Sequence, residues 1–223
     1  MSEHWDNSIG IASYFSTLKK IIVAPTSFFE GILDKESLGR AIIFSLISLT
    51  IGGIATMMWA VLFSILETST QMSGNIANQQ AVIMNGLFGI GINIAAGLMT
   101  PVFGIIGCFI GAAIAHLCLI MLGGCQEGYL ATVKVYLYSA GTNVFSIIPC
   151  LGPFVSGILS IVIVVAGLSS MQKVSKTKAL TASLLLPFFC CCCAIVFIAS
   201  VFIAISSIAG IAGIAPLLQN MPK

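Results

Sequence analysis

The chain has 223 residues, 58% of them apolar and only 7% charged, with a formal net charge of +2 and a mean hydropathy of +1.11. A soluble domain carries about 25% charged residues, so this composition excludes a water-facing globular protein. The small positive balance, with no basic-aromatic surface, also excludes nucleic-acid binding.

Residues 1–40 read as a cytoplasmic amphipathic region. Phe15, Leu18, Ile22, Phe29 and Ile32 or Leu33 recur near a helical period, with Lys19 and Lys20 off the stripe. Pro25 divides this pattern, and Ser27 with Glu30 offers a capping box for a second short helix. Two uses of the stripe are open. Phe15, Leu18, Ile22, Phe28 and Phe29 either rest on the membrane surface or pack on the protein's own spans. No short apolar segment with a cleavage site precedes this region, so the first span is expected to act as its own uncleaved insertion signal.

Residues 41–223 read as an all-α, polytopic transmembrane bundle of five spans. The first covers about 41–66, between Arg40 and Glu67, and a polar stretch from Thr68 to Gln80 follows. The next uncharged stretch, about 83–122, would reach about 60 Å as one helix, twice the hydrocarbon thickness. Pro101 offers a break, which puts the second span at about 101–122 and leaves 83–99 as an interfacial or re-entrant segment. The third, fourth and fifth spans fall at about 129–149, 151–171 and 179–204.

This count leaves Lys19, Lys20, Lys35, Arg40, Lys134, Lys173, Lys176 and Lys178 on or opening toward the cytoplasmic side, with only Lys223 outside. That agrees with the positive-inside rule, so the N-terminus is expected in the cytoplasm and the C-terminus outside. A sixth span at 83–99 would break the agreement.

The spans hold no Asp or Glu between their boundaries, which argues against a proton-coupled pump. No nucleophile–base set, metal-ligand pattern or phosphate loop is present, so no enzyme activity and no cofactor is expected. The cysteines 190–193 point about 100° apart on a helix and cannot converge on one zinc. His116 and Lys134 lie about 9–10 Å from the turn joining their antiparallel helices. They could share a polar layer with Tyr136 or Tyr138, or be a carbonyl-bonded histidine and a snorkelling lysine. Gly107 and Gly111 make a Gly-x-x-x-Gly step suited to helix packing within the chain or to a homodimer.

The stretch from His116 to Leu180 resembles the Yip family of membrane proteins, through the His116–Gly124 helix end, Tyr138-Ser139, Ile148-Pro149 and Gly152. Gly167-Leu168, Gln172 and Ala179 extend the likeness, as does Pro25 with Phe28-Phe29, which looks like the prokaryotic branch. The resemblance implies a five-span domain with a cytosolic N-terminus. Eukaryotic members, named for Ypt/Rab-type GTPase partners, carry an acidic Asp-Leu-Tyr-Gly-Pro type motif that has no counterpart here, so GTPase binding is not carried over. The reading is a membrane-organising scaffold in the cytoplasmic membrane of a prokaryote, in contact with the bilayer and other membrane proteins. The alternative is a small channel, lipid-translocating protein or carrier.

Overall fold

The computed structural model describes residues 10–32, 37–74, 79–185 and Ser200. Among them every regular element is helical. Residues up to Ser183 form one compact unit, and that unit is the subject here.

Helix α1 (Ile11–Val23) ends where Pro25 removes a backbone donor. Helix α2 (Pro25–Ile32) opens on that proline, whose fixed φ suits a first helical position. The Ser27–Glu30 capping box is therefore not formed, because the helix has begun two residues earlier. Both helices turn their apolar side inward. Leu18, Ile21, Phe28, Phe29 and Ile32 are buried in the core, and Tyr14 Oη shares a 2.8 Å hydrogen bond with Ser48 Oγ. Of the two uses of the N-terminal stripe, packing on the protein's own helices holds for Leu18, Phe28 and Phe29. Ile22 is half-buried against the same core, and only Phe15, 54% exposed, is left facing outward.

Helix α3 (Leu38–Gly74) and helix α4 (Gln79–Met121) form a long antiparallel hairpin. The segment 83–99 lies inside α4, so it is neither re-entrant nor a separate element, and Pro101 does not end the helix. Its ring leaves the Gly97 carbonyl, four residues back, without its helical donor. At that level α3 presents Gly53, where a β-carbon would sit 2.8 Å from the Gly97 oxygen. A Cα hydrogen of Gly53 points there instead, a weak C–H···O contact that two glycines permit. Close backbone approach thus offsets the proline's lost bond.

The expected third span divides in two. Helix α5 (Tyr129–Ser139) continues as a 3-10 helix over Ala140–Ile147. Ser139 Oγ donates to the Tyr136 carbonyl, Thr142 Oγ1 to Ser139 and Asn143 Nδ2 to Ala140, each three residues back, at 2.8–3.0 Å. Such side-chain bonds compete with the α-helical ladder and favour the tighter i→i+3 pattern. With a 3-10 rise of about 2.0 Å per residue, 129–147 extends about 32 Å, enough for a bilayer core of about 30 Å.

Helix α6 (Gly152–Met171) returns after a turn in which Cys150 has φ 60°. A further helix begins at 176 and is described to 185. Most of the expected fifth span, the cysteines 190–193 and Lys223 lie outside the described residues. Among those described, α3 (over Leu38–Met72), α4 and α6 are long and apolar enough to cross a membrane.

The core centres on Tyr138, fully buried among Phe28, Phe29 and Phe44 with ring centroids 5.1–6.4 Å away. Gly167 on α6 admits Phe29 and Val135, whose atoms stand 2.8 and 2.7 Å from where a β-carbon would be. Gly167 thereby fixes α2 and α5 against one spot on α6.

Candidate functional site

The polar groups of the bundle gather where α4, α5 and α6 end near one another. Helix α4 stops in a Schellman arrangement. Gly123 has φ 62°, its N–H bonds the Ile120 carbonyl at 3.0 Å, and the Gly124 N–H bonds Leu119 at 2.9 Å. Lys178 Nζ donates to the Leu122 carbonyl at 2.8 Å, satisfying another terminal acceptor. The chain then passes through Cys125 and Glu127 to Gly128, the N-cap of α5.

Gln172, at the end of α6 and fully buried, joins these ends. Its Oε1 accepts from the Glu127 N–H at 2.9 Å and from Cys125 Sγ at 3.4 Å. Its Nε2 donates to Thr132 Oγ1 at 3.0 Å and toward the Gly128 carbonyl at 3.4 Å. One amide thus bridges the turn and the first turn of α5. Outside it, Lys173 Nζ and Glu127 Oε1 pair at 3.1 Å on the exposed side.

His116 belongs to this cluster. Its Nδ1 lies 3.0 Å from Thr132 Oγ1, Cys125 Sγ lies 3.5 Å from the ring, and Tyr129 packs edge-on at 5.7 Å. Lys134 is not among its partners. His116 faces Thr132, and positions 132 and 134 are roughly 200° apart around α5. Tyr136 and Tyr138 stand farther along α5. The Tyr136 carbonyl accepts from Cys108 and Ser139, and Tyr138 sits in the aromatic core. The expected layer of His116, Lys134, Tyr136 and Tyr138 is therefore not one site. Gly107 and Gly111 also part company: Gly111 is buried, whereas nothing lies within 4 Å of where a Gly107 β-carbon would be.

Chemically the cluster favours structure over reaction. Burial pushes the Cys125 thiol above its ordinary range, so at neutral pH it is protonated and a poor nucleophile. Cys125 Sγ also lies 3.2 Å from the Glu127 carbonyl, and among the described residues no three His, Cys, Asp or Glu side chains gather as a metal-holding group. The sequence drew attention to His116 but not to Thr132 and Cys125 beside it. The available signal was Gln172, a lone amide closing an uncharged span.

No curated protein and no solved structure matches the chain significantly. The Yip1 domain matches residues 19–198, from the middle of α1 to beyond α6. With three helices among the described residues long and apolar enough to cross a membrane, and a domain match over most of its length, the chain is an integral membrane protein that belongs to the Yip family.

Proposed function

We propose that the protein is a non-enzymatic membrane scaffold, crossing the cytoplasmic membrane of a prokaryote five times with its N-terminus inside and its C-terminus outside. The observation that carries this reading is the burial of α1 and α2 in the same core as the spans, with Phe29 0% exposed. A cytoplasmic segment so held is a fixed platform. It turns Ile11, Phe15, Lys19 and Val23 outward, toward other membrane proteins and the bilayer surface. The protonated Cys125 thiol and the lack of carboxylates between Glu67 and Glu127 favour a structural over a catalytic role.

Topology is tested by a reporter active only outside the cytoplasm. Fusions after Asn75 and Lys223 should give signal and a fusion after Lys176 none; the reverse pattern excludes the proposed orientation. The scaffold role is tested by purification in native lipid with mass spectrometry of co-purifying proteins. Ile11→Asp with Phe15→Asp should deplete specific membrane-protein partners while leaving the bundle folded. An unchanged partner set would remove the platform from the proposal.

A further inference from the structure

The hydrogen bonds around Gln172 run in one direction, and they end on a titratable ring. A backbone N–H can only donate, so the Gln172 atom 2.9 Å from the Glu127 nitrogen is the amide oxygen. The other amide atom, 3.0 Å from Thr132 Oγ1, is then the nitrogen, and it donates. Thr132 Oγ1 therefore accepts from Gln172 and still has its own hydrogen to place. Among the described residues its other partner is His116 Nδ1, 3.0 Å away. The hydroxyl gives its hydrogen to Nδ1, which must be bare, and the imidazole carries its proton on Nε2. The run of donations thus stops at an atom whose proton count changes near neutral pH.

A proton on Nδ1 undoes this order. His116 Nδ1–H and Gln172 Nε2–H would both point at Thr132 Oγ1, and the hydroxyl hydrogen would lose its acceptor. A donor left without a partner in a buried place is costly, and Thr132 is 0% exposed. Among the described residues no carboxylate pairs with the ring, because Glu127 of the turn is held by Lys173. The other charged groups at this end are cations. Lys178 is bonded to the Leu122 carbonyl, Lys176 is exposed on the following helix, and Lys134 lies on another face of α5. Tyr129 meets the ring edge-on, and Cys125 Sγ lies 3.5 Å from both ring nitrogens.

We propose that His116 is a proton-operated latch on the ends of α4, α5 and α6. Neutral, it takes the last hydrogen bond of the run, and Gln172 holds the turn at 122–128 closed. Protonated, it no longer accepts, Gln172 loses its hold on Thr132, and the turn opens. Opening uncovers Cys125, half-buried in the closed form. The latch answers to acidity on the side of the membrane where these helix ends lie, the cytoplasmic side in the proposed orientation. It stands whether or not the α1–α2 platform binds partners.

The test uses the full-length protein in nanodiscs with isotope-labelled histidine, the His116 signal being the one lost in His116→Asn. Nitrogen NMR of the neutral ring should show Nδ1 bare and Nε2 protonated. Acidifying from about pH 8 to about pH 5, the range in which histidine changes charge, should protonate it. Hydrogen-exchange protection of the Glu127 amide and of α5 through Val135, corrected for the intrinsic pH dependence, should fall with the same midpoint. The fall should be at least about tenfold, the order of effect of one unsatisfied buried group. His116→Asn should keep protection over the whole range, because the asparagine oxygen accepts from Thr132 and does not titrate. Protection in the middle of α6 should change in neither protein. A proton on Nδ1 of the neutral ring, or protection that stays constant as His116 charges, would overturn the latch. So would the same fall in His116→Asn, which would assign it to another group such as His4 or Glu127.

Discussion

Phe29→Ala should destabilise the bundle by about 3 kcal/mol, seen as a lower thermal midpoint in nanodiscs. Emptying a buried phenylalanine site costs about 3–5 kcal/mol. The lower end applies because a released α2 can still place apolar groups in lipid, where no hydrophobic drive favours helix association. The loss comes from contacts with Tyr138, Val135 and the surface at Gly167, all inside the core. Phe15→Ala, on the exposed side of α1, should change stability by less than about 0.5 kcal/mol. Equal effects of the two substitutions would mean that α1 and α2 rest on the bilayer rather than on the spans.

Gln172→Met should cost about 2–3 kcal/mol despite its similar length. The variant leaves the Glu127 N–H without its partner and Thr132 Oγ1 with His116 alone, and an unsatisfied buried group costs about 1–3 kcal/mol. Water reaching the turn at Glu127 lowers the sum. Lys173→Ala removes the adjacent ion pair, whose side chains are 57% and 34% exposed. It should cost less than about 1 kcal/mol, because solvent screens such pairs. Chemical unfolding of both variants in one detergent gives the comparison, and a larger loss for Lys173→Ala would show that the charge pair holds the helix ends together.

Much of the architecture was legible from residue pattern. The uncharged runs 41–66 and 151–171 are helical in the structure to within a residue, and Pro25 marked the boundary between α1 and α2. Pro101 misled because a proline breaks a helix only when the freed carbonyl finds nothing else, and here Gly53 approaches it. The 3-10 segment was hidden because its cause is three side-chain bonds to carbonyls, which composition does not announce. Sequence distance from a turn could not choose between Thr132 and Lys134 as the neighbour of His116, because distance along a helix and helix face are independent coordinates.

The N-terminal stripe was ambiguous for a further reason: an apolar helix face suits a membrane surface and a protein groove equally well. Gly167 decides for the groove, but its role depends on Phe29 reaching it across the fold. Hydrogen–deuterium exchange over residues 13–32 in nanodiscs tests the integrated platform most directly. Amides of α1 and α2 should exchange as slowly as those of α5, and Phe29→Ala should release them while leaving α5 protected. Rapid exchange in the parent protein, or slow exchange that Phe29→Ala leaves unchanged, would contradict the account.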